Sequence, residues 1–275
     1  MLKCASNTII LYLMFLPVFF LNAFEYKEKP IVVLVTSYNN IRYVKKNITS
    51  ICNQDYSNYR VIYIDDCSKD QTFNYASKLI NKYNKILQST LIKNQTRVGA
   101  LKNIYDAIHN CNDDEIIVSL DGDDWFFDNQ VLKKINEAYL LNDIWITHGT
   151  LIEFPSQNVG WSIPIPPDII TRNAFRSYRC VSHLRTFYAW LFKMIKIEDL
   201  VYEGEFFKMA WDLAILFPMM EMAGDRHFFI KDIVYVYNMM NPINDNKVNA
   251  ELQRNLDVLI RSKIPYKRLK ERPLS

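Results

Sequence analysis

Short apolar runs alternate with segments of helical periodicity over the first half of the chain, and this alternation constrains the fold most strongly. The predicted strands are Ile31–Val35, Val61–Ile64, Ile86–Ile92 and Ile116–Leu120. Between them, apolar residues recur at the spacing of an amphipathic helix, as in Ile41–Cys52. A strand, a helix and a second strand in this order form a parallel pair. We therefore predict a three-layer α/β/α sandwich, Rossmann-like, whose sheet is mixed but mostly parallel.

The second half of the chain is less regular, but its main elements can still be predicted. Strands are predicted at Ile144–Phe154 and Phe228–Tyr237, a loop at Pro155–Pro167, and a helix at Asp212–Gly224. Pro218 lies inside that helix, so we expect the helix to be kinked or split there. The segment from residue 246 onward is polar and basic and predicts a C-terminal tail with a surface helix.

The composition excludes several classes of protein. Hydrophobic residues make up 49% of the 275 residues, which is enough for a folded core. The net charge of +3 and the absence of basic runs interleaved with aromatic residues argue against nucleic-acid binding. The five cysteines have no CxxC or Cys/His spacing, so we expect no zinc site.

The N-terminus carries an apolar segment, Thr8–Phe24, that follows Lys3 and precedes the charged Glu25–Lys29. Its length lies between that of a signal-peptide core and that of a full membrane span. We therefore expect residues 1–24 to be a signal peptide or a membrane anchor, followed by a linker at 25–29. The protein is expected at a membrane or in the lumen of the secretory pathway, with the cytosolic face of a membrane as the alternative.

Acidic residues follow directly after the fourth predicted strand, in Asp121-Gly122-Asp123-Asp124. Burying unpaired carboxylates is costly, so packing does not explain this cluster. The carboxyl ends of strands in open α/β sheets are where ligands bind, and carboxylate oxygens suit a Mg²⁺ or Mn²⁺ ion that also contacts phosphate. We therefore predict a metal–diphosphate site with Asp121, Asp123 and Asp124 as ligands. A calcium loop is the alternative, but the ligand spacing of an EF-hand is absent.

Polar residues also follow the first two predicted strands. Thr36–Asn39 follow the first strand, and Asp65 and Asp66 follow the second. A carboxylate here can accept a hydrogen bond from the imino N–H of uracil, thymine or guanine, and Tyr38 can stack on a base. The alternative is that Asp66, Ser68 and Asp70 cap the helix that follows.

Four segments, in order, resemble the inverting family 2 glycosyltransferases of the GT-A fold: Val33–Asn39, Val61–Asp70, Arg97–Asn103 and Leu120–Asp124. The resemblance covers roughly residues 30 to 130. It implies transfer of one sugar from a nucleoside-diphosphate sugar, most of all a UDP-sugar, to an acceptor hydroxyl of a glycan, protein or lipid. It also implies Mn²⁺ or Mg²⁺ at the acidic residues. The residues that we assign to the donor are Thr36, Tyr38, Asn39, Asp65, Asp66, Arg97, Gly99, Asp121, Gly122, His183 and Arg185.

Transfer to a hydroxyl requires a carboxylate that takes the proton of the acceptor. We predict Asp212 as this general base, because it lies in the irregular half at the start of a predicted helix. Glu203 and Glu205 are the rival bases, and the alternative role for Asp212 is that of a helix cap. The resulting division of the domain is residues 30–130 for the donor, 131–245 for the acceptor and 246–275 for the polar tail.

Two other classes of protein remain open. A sugar-1-phosphate nucleotidyltransferase would share the sheet and the acidic strand ends. It should also have a glycine-rich, basic loop after the first strand, whereas Thr36–Asn40 contains neither glycine nor lysine. The second class is a non-catalytic nucleotide-sugar-binding protein built on the same fold.

Overall fold

The computed structural model describes residues 27–83, 88–179, 183–243 and 245–273. The expected signal peptide or anchor, residues 1–24, lies outside the described residues. In the described part of the chain, no helix is long and apolar enough to cross a membrane. The expected linker ends at Lys29, whose backbone N–H donates to Asn136 Oδ1 at 3.0 Å. The chain is therefore already fixed to the domain before the first strand.

Strands and helices alternate along the first half, as predicted, and become shorter in the second. The strands are β1 Ile31–Ser37, β2 Tyr59–Asp65, β3 Gln88–Lys93, β4 Ile116–Asp121, β5 Trp125–Phe126, β6 Ile146–Phe154, β7 Arg185–Tyr188, β8 Val201–Tyr202, β9 Glu205–Phe206 and β10 His227–Asn238. The helices are α1 Val44–Cys52, α2 Thr72–Tyr83, α3 Ala100–His109, α4 Val131–Leu141, α5 Pro167–Thr171, α6 Ala189–Lys193, α7 Trp211–Ala223, α8 Asp245–Val248 and α9 Ala250–Ser262. Short 3-10 turns cover Phe175–Ser177 and Ile197–Asp199.

One mixed sheet has the strand order β3-β2-β1-β4-β7-β6-β10-β5. β3, β2, β1 and β4 are parallel to one another, and β6 is parallel to β10. β7 runs antiparallel between β4 and β6, and β5 runs antiparallel to β10. The predicted mixed, mostly parallel sheet is confirmed. Because Ser37 pairs with Asp65 and Thr36 pairs with Asp121, the predicted site residues lie at one edge of it.

Both faces of the sheet are covered, as a three-layer sandwich requires. Val32 and Leu34 of β1 belong to one core, together with buried residues of α3, α6 and α7. Val33 and Val35 belong to the other core, together with buried residues of α1, α2 and α4. Successive side chains of a strand point to opposite faces, so the unbroken apolar run of β1 suits a strand that is buried on both sides.

Two helices differ in detail from the sequence prediction. α2 begins at Thr72, where Asp70 Oδ1 accepts a hydrogen bond from the Thr72 N–H at 2.9 Å, so Ser68 is not its cap. Ser68 Oγ instead accepts from the Asn39 N–H at 2.9 Å. α7 continues through Pro218 without splitting, because nearly all of its residues are buried and their packing offsets the hydrogen bond that proline cannot make.

The C-terminal segment is a packed part of the domain rather than a free polar tail. Its helix, α9, is capped by Asn249, whose side chain accepts a hydrogen bond from the Leu252 N–H at 2.9 Å. Leu256 and Ile260 of α9 are buried in the core that contains α7. The predicted surface helix is therefore present, and its apolar face holds it against the domain.

Candidate active site

A cleft of about 680 Å³ opens at the carboxyl ends of β1 and β4 and extends across the start of α7 to α9. Residues predicted from separate parts of the sequence line it together. They are Thr36, Tyr38, Arg97, Asp121, Asp123, Asp124, His183, Arg185 and Asp212. The cleft thus joins the region assigned to the donor with the residue assigned as the base.

The side chain of Asn47, which the sequence did not indicate as a site residue, holds the acidic turn, Asp121–Asp124. Asn47 Nδ2 donates to the carbonyl oxygens of Asp121 at 3.1 Å and of Asp124 at 2.8 Å. Gly122 lets the turn lie against β1, because a Cβ at this position would be 2.6 Å from the Cβ of Ser37. Gly122 therefore permits the close approach of two backbone segments, and its contact with a donor stays a prediction.

Asp124 is the buried member of the acidic turn. The Tyr235 hydroxyl donates to its Oδ2 at 2.6 Å, and the Asn238 N–H donates to its Oδ1 at 2.7 Å. Burial raises the pKa of Asp124 well above its ordinary value, and the charges of Asp123 and Asp121 raise it further. Both carboxylate oxygens of Asp124 accept hydrogen bonds from residues of β10, so Asp124 fixes the acidic turn against this strand. Direct ligation of a metal by Asp124 stays a prediction.

Asp121 and Asp123 have opposite electrostatic surroundings. Asp121 Oδ2 lies 3.3 Å from His183 Nε2 and 3.5 Å from Arg185 Nη2. Burial favours the neutral form of Asp121, but His183 and Arg185 outweigh it and hold its pKa below the ordinary value. Asp123 Oδ2 accepts only from neutral Asn241 Nδ2, at 2.7 Å, within the described residues. Burial, and next the charge of Asp121, therefore raise the pKa of Asp123 to about 6.

These surroundings fit a divalent cation. Burial and the charge of Asp121 outweigh the hydrogen bond from Asn241 and the charge of Lys247 at Asp123, so a cation bound there would relieve the repulsion between the two carboxylates, and carboxylate oxygens are the ligands that Mg²⁺ and Mn²⁺ prefer. Among the side chains that the structure describes, no three from His, Cys, Asp and Glu form a cluster that could hold a metal ion. A cation at Asp121 and Asp123 would therefore complete its coordination with phosphate oxygens and water, as Mg²⁺ commonly does.

Arg185 connects the acidic turn to the predicted base. Its guanidinium is 2% exposed and lies 5.2 Å from the centre of the Trp211 ring. Nη2 faces Asp121, while Nη1 lies 3.3 Å from Asp212 Oδ2. His183 lies beside it, and burial, then the charge of Arg185, lower the pKa of His183. A neutral imidazole and a buried guanidinium thus separate the carboxylates of Asp121 and Asp212.

Asp212 is the second residue of α7, and its capping alternative is wrong. The cap position is Ala210, which makes no side-chain cap hydrogen bond. Ala210 has a left-handed backbone with φ of 52°, a conformation that costs a residue with a Cβ about 1 to 2 kcal/mol. The rival bases, Glu203 and Glu205, are exposed in the β8–β9 hairpin and do not line the cleft.

An aromatic ring and a guanidinium lie together in the cleft. The Arg97 guanidinium lies 4.0 Å from the centre of the Tyr38 ring. Arg97 Nε is also 3.9 Å from Asp66 Oδ2, which holds the arginine over the ring. One flat cation and one aromatic face together suit the stacking of a nucleobase.

Other residues assigned to the donor lie behind the lining, where they shape the loops. Asp66 accepts hydrogen bonds from the Val98 and Gly99 N–H groups at 3.0 and 2.9 Å, so it does not cap α2. Asp65 Oδ1 accepts from the Ser68 N–H at 2.9 Å. Asn39 Oδ1 accepts from the Lys69 N–H at 2.8 Å. Direct contact of Asn39, Asp65, Asp66 and Gly99 with a donor stays a prediction.

Several lining residues could not be found from the sequence. Asn241 Nδ2 bonds both Asp123 Oδ2, at 2.7 Å, and Asn40 Oδ1, at 3.3 Å. These asparagines are 201 positions apart, so no local spacing indicates that they meet. Their only sequence signal is a polar amide next to a predicted strand end, as for Asn40 after β1.

The mixed sheet, with the acidic cleft at its edge, has the GT-A fold. The crystal structure of residues 1–349 of TarS from Staphylococcus aureus has a TM-score of 0.59 at 19% identity, over 76% of this chain and 60% of that chain. The mannosyltransferase PcManGT from Pyrobaculum calidifontis, solved with GDP-Man and Mn²⁺, has a TM-score of 0.55 at 16% identity, over 86% of this chain and 63% of that chain. At these identities the likeness shows the fold alone.

The family model for glycosyl transferase family 2 matches residues 32–200, and the chain belongs to this family. Staphylococcus aureus TarS, named poly(ribitol-phosphate) beta-N-acetylglucosaminyltransferase, is 32% identical over 95 residues, which are 34% of this chain and 16% of that protein. An uncharacterized glycosyltransferase from Haemophilus influenzae is 30% identical over 119 residues, 43% of this chain and 46% of that protein. The chain thus aligns with less than half the length of these curated relatives.

Proposed function

We propose that this glycosyltransferase moves a single sugar from a nucleoside-diphosphate sugar to an acceptor hydroxyl, with inversion at the anomeric carbon and dependence on a divalent cation. One observation carries the proposal: Asp121, Asp123 and Asp212 line the same cleft. Arg185 contacts both Asp121 and Asp212 from a buried position. An acidic pair for a metal-bound diphosphate and a separate carboxylate for a proton are the groups that such a transfer needs.

The residues of the chain divide the reaction between them. Mn²⁺ or Mg²⁺ held by Asp121 and Asp123 would neutralise the charge that develops on the departing diphosphate. Asp212 accepts the proton of the acceptor hydroxyl as its oxygen bonds to the anomeric carbon and the bond to the diphosphate oxygen breaks. Arg185 orients the Asp212 carboxylate, and Tyr38 with Arg97 contacts the nucleoside. Attack from the face opposite the leaving group inverts the anomeric configuration.

Uridine is the nucleoside that we propose. Asp65 is fully buried at the end of β2, and within the described residues its Oδ2 has no hydrogen-bond partner. This oxygen lies behind the residues that line the cleft, and it is an acceptor of the kind that suits the imino N–H of uracil, which guanine and thymine share. Solved complexes of the fold support both nucleotides, since TarS binds UDP-GlcNAc and PcManGT binds GDP-Man.

A ligand screen followed by one product analysis tests the proposal. The full chain is titrated with UDP-, GDP- and dTDP-sugars, with and without Mn²⁺, and unfolding is followed by thermal shift. We expect stabilisation by a UDP-sugar that depends on Mn²⁺, because a ligand that binds the folded state raises its stability. The anomeric coupling constant of the product, measured by NMR, should show inversion. Retention, or no stabilisation by any nucleotide sugar, would contradict the proposal.

We also propose that residues 1–24 bring the enzyme to a membrane or into a secretory lumen. The unbroken apolar segment Thr8–Phe24 supports this targeting. Expression with and without residues 1–24, followed by separation of membrane and soluble fractions, tests it. Equal distribution of the two proteins between the fractions would contradict it.

A further inference from the structure

The far end of the cleft is formed by one face of α9. Ala250, Gln253, Arg254 and Asp257 line the cleft, and we call them the α9 face. Their spacing of three, one and three residues places them on the same side of a helix. The side next to this face, about a quarter turn round the helix, is apolar and buried through Leu256 and Ile260. The helix is therefore fixed with its polar side toward the cleft, outside the family match that ends at residue 200.

Positive charge dominates this end of the cleft. Asp257 is shared by Arg261 Nε, at 2.7 Å, and Arg179 Nη1, at 3.3 Å, and Arg179 also lines the cleft. Arg254 is exposed and makes no ion pair with any described side chain. Two guanidinium groups thus share the Asp257 carboxylate, and Arg254 adds a positive charge to the cleft that no described carboxylate neutralises. Asp121 and Asp123, which line the same cleft, have the opposite sign, so the two groups of residues suit different ligands.

An aromatic ring also lines the cleft. The side chain of Trp161 lines the cleft although 56% of this residue is exposed. Its loop is fixed to β6, because the Gly160 N–H donates to the Leu151 carbonyl at 2.9 Å and Val159 bridges to Ile152. A Cβ on Gly160 would be 2.7 Å from Leu151 Cγ, so only glycine permits this approach. An exposed indole on a fixed loop suits stacking against the apolar face of a sugar ring.

We infer that the α9 face and Trp161 bind the acceptor, and that this acceptor is a glycan carrying an anionic group, either a phosphate or a carboxylate. Arg254 and Arg179 bind the anionic group, since guanidinium groups match the geometry of both oxyanions. Trp161 stacks on a sugar ring, and a hydroxyl of the same glycan reaches Asp212. The inference rests on the proposed function, because it takes Asp212 as the base that receives the acceptor.

Binding of matched saccharides to the full chain tests this inference. Titration calorimetry with UDP and Mn²⁺ present compares a neutral oligosaccharide, its phosphorylated form and a form in which one sugar is a uronic acid. We expect the anionic forms to bind about tenfold more tightly than the neutral form, since a charge-assisted hydrogen bond is stronger than a neutral one. The advantage should shrink as salt is added. The anionic form that binds more tightly shows whether the anionic group of the acceptor is a phosphate or a carboxylate.

Two variants distinguish the contribution of the Arg254 charge to binding from that of the Trp161 ring. Arg254→Gln should remove most of the difference in affinity between anionic and neutral saccharides. Trp161→Ala should weaken the binding of both kinds of saccharide alike. Arg172→Gln is the matched control, because Arg172 pairs with exposed Asp168 and does not line the cleft. Equal binding of neutral and anionic saccharides, no effect of Arg254→Gln, or a preference for an acidic peptide would overturn the inference while UDP binding persists. If the unaltered protein did not bind UDP, the proposed function would be overturned as well.

Discussion

The guanidinium of Arg185 lies between Asp121, a proposed metal ligand, and Asp212, the proposed base. Arg185 is buried, and apart from Asp121 and Asp212 it contacts the ring of Trp211. Neither its Nε nor its Nη1 makes a hydrogen bond within the described residues, so Nη1 meets Asp212 as an ion pair, and the position of Arg185 is set by the two charges and by packing. Lysine could supply the charge but could not reach both carboxylates with separate nitrogen atoms.

Arg185→Lys should therefore lower the transfer rate with little loss of folding. We expect kcat to fall by about a hundredfold, because small misplacements of a catalytic group cost about this much. Steady-state kinetics and thermal unfolding are measured together, with Arg172→Lys as the control on an exposed ion pair. A variant that keeps the full kcat would show that Arg185 does not position Asp212.

Asp66 is a residue whose contribution to stability depends on pH. Burial opposes its ionisation, but hydrogen bonds from Val98, Asn94 and Gly99 prevail, and the pKa of Asp66 falls below the ordinary 3.8. A lowered pKa means that the stabilisation is complete above the ordinary pKa and is lost as the pH falls through the lower, folded-state value.

Asp66→Asn should thus lower the free energy of unfolding by about 1 to 3 kcal/mol at neutral pH, since backbone N–H groups lose a charged acceptor. Urea unfolding of both proteins at a series of pH values measures the difference. The difference should persist down to pH 3.8 and narrow only below it. A difference that is constant at all pH values would show that the charge of Asp66 is not responsible.

At the scale of elements, a buried ion pair fixes α7 to the C-terminal segment. Arg176 donates to Glu221 of α7 through Nε at 2.6 Å and Nη2 at 2.9 Å. Its Nη1 donates to the Ile260 carbonyl of α9 at 2.6 Å, and the Tyr266 N–H donates to Glu221 at 2.8 Å. Burial raises the pKa of Glu221, although Arg176 acts against this. The pair therefore sets where α9 meets the cleft.

Glu221→Gln should destabilise the fold by about 3 to 5 kcal/mol, because it leaves the Arg176 charge buried without its partner. Thermal or urea unfolding measures this loss. Glu205→Gln, which breaks an exposed pair with Lys208, is the control and should cost less than about 1 kcal/mol. Equal losses of unfolding free energy in the two variants would show that the buried pair does not hold α9 in place. Replacement of both Arg176 and Glu221 by apolar residues should restore much of the stability.

The elements that the sequence predicted are those with a clear period. β1, β2 and β4 are apolar runs buried on both faces, and α1 and α3 have one apolar side. β7 was not predicted, because its four residues are defined by antiparallel pairing with β4 and β6 rather than by alternation. The packed α9 was expected only as a surface helix, since Leu256 and Ile260 are few among charged neighbours.

At the scale of the whole molecule, the cleft collects residues that the chain places far apart. Residues at strand ends, such as Asp121 and Asp123, could be predicted because parallel strands end at one edge. Asn47 and Asn241 could not, since amide side chains carry no recognisable spacing and contact the acidic turn only in the folded chain. The acceptor end is formed by loops and α9, where tertiary packing rather than local pattern decides which side chains meet.

The proposed mechanism gives Asp123 and Asp212 different roles within one cleft: Asp123 binds the cation, and Asp212 accepts the proton. The direct test is a paired measurement of Mn²⁺-dependent UDP affinity and sugar-transfer rate for Asp123→Asn and Asp212→Asn. Asp123→Asn should lose the Mn²⁺-dependent part of UDP binding. Asp212→Asn should keep UDP binding and lose about a hundredfold to ten-thousandfold in rate, as expected for a general base. Undiminished transfer by Asp212→Asn, or unchanged Mn²⁺-dependent binding by Asp123→Asn, would contradict the account.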